Sequence, residues 1–313
     1  MRVGLDVGGT KIDALALGTD DTIVARTRVS TGWGDAAVVA AVHDAIDALA
    51  VEGGFATLDV ASVGIGIPGL VDAAGGRVLH AVNLGVSELD LASAVRERLP
   101  VAVAVENDVK AAALGAGSLR GDAHSMAYLN LGTGVAAGIV IDGGLWRGAR
   151  GTAGEIGHLS VDPNGRVCGC GQRGCIETFC GGGAIARAWG RGGVLPVLDI
   201  FDLAEAGDPL AVELRAGIAY GAASAVRCLV LSADVETVVI GGGITALGDR
   251  LRDDVARRLR LEGEGSAFIG ALRLDERIEL LPAGSPAAAL GAALVGAAHL
   301  HTHLHTHEGA FHG

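Results

Sequence analysis

The sequence predicts an α/β protein built from two related domains, and three observations carry that expectation. Three strand-like segments open the chain and give way to alternating helix and strand, and the same pattern begins again near residue 125. Two continuous apolar runs in the first half end abruptly on Pro-Gly or on polar residues, as buried strands of a parallel sheet do. Half of the 313 residues are apolar and 51 are Gly, a composition suited to strands joined by tight turns.

In chain order, Val3–Gly9, Ile12–Gly18 and Thr22–Val29 read as an antiparallel meander, because Gly8-Gly9 and Gly18-Thr19-Asp20-Asp21 separate them. Val38, Val39, Val42, Ile46 and Leu49 recur at helical spacing over Ala36–Ala50. Val60–Ile67 is a buried strand stopped by Pro68-Gly69, and Leu89–Leu99 is a helix. Val101–Val105 is a second buried strand, and it delivers Glu106-Asn107-Asp108 to an Ala-rich helix. Ser125–Leu131 and Val135–Ile141 are strands around Gly132-Thr133-Gly134, with a further strand and loop region through Gly151–Glu155. Helices are expected over Ile176–Trp189 and Pro209–Ser232, then a strand Val235–Ile240 ending in Gly241-Gly242-Gly243. A helix Thr245–Leu261, a strand Arg277–Leu281 and an Ala-rich helix Pro286–Leu300 complete the pattern. No linker marks a boundary. The expected division is 1–110, completed by the helix 286–300, against 111–285. The His-rich stretch 301–313 reads as a disordered tail, with adventitious metal binding as the alternative.

The formal net charge is −12, whereas a nucleic-acid surface needs clustered Lys and Arg, so no nucleic-acid partner is expected. Gly, Asp or Arg interrupts each apolar run short of the roughly 20 residues that cross a bilayer, so no membrane partner is expected either. Met1–Asp6 is strand-like and carries no basic segment followed by an apolar one, which argues against export and for the cytoplasm. Of the five Cys, Cys168, Cys170 and Cys175 fall close together, and an odd count so clustered favours a metal over disulfides. Cys180 and Cys228 read as plain buried thiols.

Three segments carry chemistry. Asp6-Val7-Gly8-Gly9-Thr10-Lys11 lies on strand–turn–strand, which excludes a Walker A loop and a dinucleotide fingerprint, since both need a following helix. Its two Gly let backbone N–H groups approach a polyphosphate, Thr10 adds a hydroxyl, and Asp6 is placed to hold Mg²⁺ through water. The competing reading is a simple Gly-Gly hairpin with an exposed Asp. Asn107-Asp108 sits at a strand-to-helix junction, where the helix N-terminus and Lys110 favour an ionised Asp108, as a general base requires. Helix capping explains the same pair equally well. Finally, His158 with Cys168, Cys170 and Cys175 offers four soft ligands, a closed set for structural tetrahedral Zn²⁺. A metal there would fix the His158 ring between Glu155 and Glu177, two carboxylates suited to vicinal sugar hydroxyls. Gly132-Thr133-Gly134 and Gly241-Gly242-Gly243 are candidate nucleotide turns, the first near phosphates and the second near adenosine.

Taken in order, these residues resemble the ROK family (repressor, open reading frame, kinase), and within it the glucokinase branch. The match runs through Asp6–Lys11, Gly64-Ile65-Gly66-Ile67-Pro68-Gly69, Glu106–Asp108, Gly132–Gly134, Glu155–His158, Cys168–Glu177 and Gly241–Gly243. The resemblance implies the two-lobed actin-like, hexokinase-type ATPase fold, with sugar and ATP in a cleft. It implies ATP with Mg²⁺ as phosphoryl donor, Asp108 as catalytic base, and sugar contacts from Asn107, Glu155, His158 and Glu177, with Gly66 and Asn83 as further contacts. It also implies a homodimer or homotetramer. After Asn83-Leu84-Gly85 many relatives carry an aromatic residue where this chain has Val86, and many carry Ser-Gly where it has Cys180-Gly181. Glucose is the first expectation for the sugar, with mannose, fructose and N-acetylhexosamines as alternatives and polyphosphate as an alternative donor. A sugar-sensing regulator of the same family is the rival. An intact Asp108 and a phosphate loop that begins at residue 6, with no DNA-binding module ahead of it, favour the kinase.

Overall fold

The computed structural model describes residues 1–121, 124–193 and 195–308, with side chains described as far as Leu300. The chain divides into two compact units. One comprises Met1–Ala123, Ala149–Gly151 and Pro286–Gly313; the other comprises His124–Gly148 and Thr152–Ser285.

The first unit opens with the meander β1 (Arg2–Val7), β2 (Lys11–Leu17) and β3 (Ile23–Ser30), followed by α1 (Asp35–Gly53) and β4 (Ser62–Ile67). Helix α1 buries Val38, Val42, Ala45, Ile46 and Leu49, the stripe that its spacing predicts, and stops at Gly54 in the left-handed region. A small hairpin, β5 (Leu70–Asp72) and β6 (Arg77–His80), precedes α2 (Leu91–Arg98), β7 (Ala102–Asn107) and α3 (Asp108–Arg120). The sheet order is β3-β2-β1-β4-β7, with β1, β4 and β7 parallel. Strand β4 is buried along its whole length, as its unbroken apolar run requires. In this register Asp6 lies opposite Gly66, and Gly66 opposite Glu106, so the next-to-last residues of three adjacent strands come into line.

The second unit repeats the plan. It contains β8 (Ser125–Leu131), β9 (Val135–Ile141), β10 (Gly144–Leu145), α4 (Glu177–Cys180), α5 (Gly182–Trp189), α6 (Pro196–Glu205), α7 (Pro209–Ala233), β11 (Thr237–Gly241), α8 (Asp249–Glu264), α9 (Ala267–Ala271) and β12 (Ile278–Leu280). Its sheet order, β10-β9-β8-β11-β12, again places three antiparallel strands beside two parallel additions. Helix α7 is long and apolar enough to cross a membrane by length and composition alone, a test that a buried core helix also passes. Its residues Leu214, Ile218, Ala222, Val226 and Leu229 form part of the buried core of this unit.

Helix α10 (Ala287–Glu308) belongs to the first unit, where it packs on β1, β4, β7 and α3. Small residues make that approach possible: a Cβ on Gly64 would overlap the Ala292 carbonyl, and one on Gly291 would overlap the Ala111 carbonyl. This corrects the expected boundary at residue 110. A cut there would divide α3, which is fastened to α10, and the first unit instead continues to residue 123. The expected tail 301–313 lies where side chains are not described; α10 itself runs to Glu308. Further corrections are local. The helix expected over Ile176–Trp189 is two helices broken at Gly181, whose backbone is extended. The strand expected before Glu155 shrinks to the two residues of β10, and a 3-10 helix, Gly243–Leu247, precedes α8.

Candidate functional site

Asp6, Asn107 and Asp108 meet at one end of the first sheet because β1 and β7 flank β4. Asn107 caps α3: its Oδ1 accepts from Val109 N at 3.1 Å and from Lys110 N at 3.2 Å, and its Nδ2 donates to the Gly69 carbonyl at 3.3 Å. The capping reading of Asn107 therefore holds, and it leaves Asp108 as the first helical residue. Asp108 Oδ1 accepts from Val109 N at 2.9 Å. Lys110 is buried, and its ammonium donates to the Gly151 carbonyl at 2.5 Å. The Asp6 carboxyl is pushed up to about 7, first by burial and then by the negative charges of Asp108 and Asp13, with Lys11 acting in the opposite sense. Gly66 lets β4 approach α3: a Cβ there would stand 3.4 Å from Asp108 Cα.

The hairpin after β1 is closed by Gly8 N donating to the Lys11 carbonyl at 2.9 Å. Neither Gly8 nor Gly9 has positive φ, so the pair serves clearance and not an unusual turn. A Cβ on Gly9 would lie 3.2 Å from the Asn83 carbonyl oxygen, which places the exposed Asn83 turn against the hairpin. Thr10 and Lys11 are exposed, and Lys11 Nζ stands 3.4 Å from Asp13 Oδ2.

In the second unit His158, Cys168, Cys170 and Cys175 converge, with all four ligand atoms within 4.8 Å of one another. Cys170 Sγ and Cys175 Sγ are 3.7 Å apart, and Cys168 Sγ is 3.8 Å from His158 Nδ1. Tetrahedral zinc with its usual bond lengths spaces sulfur from sulfur by about 3.8 Å and sulfur from nitrogen by about 3.6 Å. The donor set therefore fits Zn²⁺ in both chemistry and spacing. The Cys170 thiol is held down to about 6, first by hydrogen bonding to Gln172, while burial pushes Cys175 up to about 12. Glu177 stands beside this cluster, its Oε1 4.0 Å from Cys168 Sγ, and its Oε2 accepts from Val135 N at 3.0 Å. Glu155 opens the 3-10 helix Ile156–His158 and is exposed. Cys180 is buried and Cys228 half-buried, and burial raises both thiols.

The two glycine turns of this unit share a cavity of about 470 Å³, lined by Gly132, Thr133, Gly183, Pro196, Gly243 and Ile244 among others. Sequence reasoning missed Gly182 and Gly183, which also line it. Gly182 N donates to the Gly132 carbonyl at 2.8 Å and Gly183 N to the Thr133 carbonyl at 2.9 Å. The triple Gly run itself was the available signal, since it repeats the composition of Gly241–Gly243.

A duplicated five-stranded plan, a hairpin ahead of an Asp at a helix N-terminus and a His-Cys₃ cluster together define an actin-like ATPase fold of sugar-kinase type. The chain belongs to the ROK family, whose profile matches residues 2–296. It is 36% identical over 271 residues to a glucokinase of Halalkalibacterium halodurans, covering 80% of this chain and 82% of that one. It is 32% identical over 266 residues to an N-acetylmannosamine kinase of Yersinia pseudotuberculosis, covering 83% and 89%. The structure matches that of a ROK family glucokinase from Streptomyces griseus in complex with glucose and AMPPNP. The TM-score is 0.77 at 30% identity, over 95% of this chain and 99% of that one.

Proposed function

We propose that the chain transfers the γ-phosphoryl group of ATP to a hydroxyl of a hexose, with glucose giving glucose 6-phosphate as the first candidate. Family membership and the glucokinase relatives support the reaction class. The observation that carries the mechanism is Asp108, placed as the first residue of α3 within the field of Asp6. Asp108 accepts the proton of the sugar hydroxyl as that oxygen bonds to the γ-phosphorus and the bond from phosphorus to the ADP oxygen breaks. The proposed sugar contacts are Gly66, Asn83, Asn107 and Asp108 in the first unit and Glu155, His158 and Glu177 in the second. Gly8–Lys11 are proposed to receive the phosphates, and the cavity at Gly132–Gly134 and Gly241–Gly243 the nucleoside. Mg²⁺ bound with the nucleotide would neutralise phosphate charge, and Asp6 would hold it through water. Zn²⁺ on His158, Cys168, Cys170 and Cys175 would be structural, orienting the His158 ring and the segment that carries Glu155 and Glu177.

The test is a coupled ADP-release assay across glucose, mannose, fructose and N-acetylmannosamine, with the wild type and Asp108→Asn. The variant is expected to keep its affinity for sugar while kcat falls about 10²- to 10⁴-fold. Near-normal turnover would remove Asp108 from the role, and no turnover by the wild type on any of the sugars would overturn the reaction itself.

A further inference from the structure

Trp33 is 69% exposed, an unusual placement for an aromatic ring that gains much from burial. Val51 and Leu58 are more exposed still, but Trp33 differs in being held against the candidate site. Thr31 Oγ1 donates to the Gly8 carbonyl at 2.7 Å and Thr31 N to the Thr10 carbonyl at 3.2 Å, which ties the segment to the phosphate hairpin. One residue beyond the ring, Gly34 N donates to the Leu84 carbonyl at 2.8 Å, which ties it to the Asn83 turn. Between these anchors the indole lies on Gly85. A Cβ at Gly85 would stand 2.5 Å from ring atoms Cε2 and Nε1, so a side chain there would displace the ring. Gly85 also needs the left-handed region, with φ 68°, which few other residues adopt. Val86, next along, is buried and exchanges two backbone hydrogen bonds with Ala81, so the aromatic surface of this turn comes from Trp33. The turn also reaches Asn107, because Ala81 Cα is 3.0 Å from the Cβ position of Gly69, whose carbonyl Asn107 holds.

We propose that Trp33 is a sugar-contact residue of the first unit, its indole face stacking on the C–H face of a hexopyranose. This rests on the hexose-kinase reading above. A pyranose whose hydroxyls are mostly equatorial presents polar groups at its edge and axial C–H bonds on its faces. A fixed aromatic plane on the turn that carries Asn83 suits both parts of such a ligand. The occupant is therefore a ring sugar, and Trp33 sets how firmly it is held, not how fast it reacts.

Steady-state kinetics of Trp33→Ala and Trp33→Phe, with glucose varied, test the assignment. In Trp33→Ala the KM for glucose is expected to rise about 5- to 10-fold, and in Trp33→Phe about twofold or less. In both, kcat and the KM for ATP should stay within about twofold of wild type. Glucose should alter the tryptophan emission of the wild type, and that change should be absent in Trp33→Phe, a signature that a merely structural residue would not give. An unchanged glucose KM in Trp33→Ala, or a sugar-dependent emission change that survives in Trp33→Phe, overturns the proposal. A wild type that phosphorylates no hexose overturns the kinase reading instead, and the emission titration then still decides whether Trp33 touches sugar.

Discussion

Replacing Asp6 with Asn keeps the shape of this residue near the end of β1 and removes its charge. The Asp6 carboxyl is displaced from 3.8 to about 7 by burial and by the neighbouring charges of Asp108 and Asp13. The folded state therefore binds a proton that the unfolded chain has already released over the interval from 3.8 to about 7. Folding stability falls as pH rises through that window. Below it both states are protonated and the cost vanishes; above it the cost is fully present. A displacement of that size corresponds to about 4 kcal/mol at full ionisation. The Asn variant escapes this cost. Urea unfolding without nucleotide should thus give a stability difference, variant minus wild type, near zero at about pH 4 and rising to about 2–4 kcal/mol at about pH 8. In an Asp108→Asn background the gain should be smaller, because one of the repelling charges is gone, and the double-mutant cycle measures that coupling. A difference that stays flat with pH, or shrinks as pH rises, would refute the electrostatic account of this site.

Two further expectations concern the framework. Purified wild type should carry about one zinc per chain by elemental analysis, and Cys170→Ser should lose it and melt at a lower temperature. A metal-free preparation with full activity and unaltered melting would sink the zinc assignment. Gly64→Ala should cost about 3 kcal/mol or more, since its Cβ would overlap the Ala292 carbonyl and a backbone must move. A melting temperature within about 1 °C of wild type would mean that α10 yields freely.

Local signals were legible in the sequence wherever the chain itself supplied the cause. Strands β8 and β9 span the expected Ser125–Leu131 and Val135–Ile141, because apolar runs are punctuated there by a glycine turn. Helix α6 was legible too and was overlooked, with Val197, Ile200 and Phe201 buried at helical spacing after Pro196. What failed depended on partners distant in sequence. Ile176–Trp189 reads as one helix, yet Gly181 is extended and the next two amides bond to Gly132 and Thr133. The site divides in the same way. The His-Cys₃ set was readable because zinc demands those residue types, whereas the bonds from Val135 N to the Glu177 carboxylate and from Lys110 to the Gly151 carbonyl were not.

The run Gly64-Ile65-Gly66 shows why a motif is legible before its reason is. The two glycines lie on one face of β4, since successive side chains in a strand alternate. On that face Gly64 admits α10 and Gly66 admits the start of α3, where a Cβ would press on Ala111 Cβ at 3.3 Å and on Asp108 Cα at 3.4 Å. Helix α10 is packed on α3 in turn, so both helices are set against the sheet by the same pair of missing side chains. The separation of Asp108 from Asp6 is therefore a packing distance. It is fixed by how closely a helix can lie on β4, and only indirectly by the carboxylates themselves. A proton acceptor misplaced by about 1 Å loses much of its effect. If Asp108 has the proposed role, the glycines of β4 act on the chemistry through position, although neither has a polar side chain to offer it.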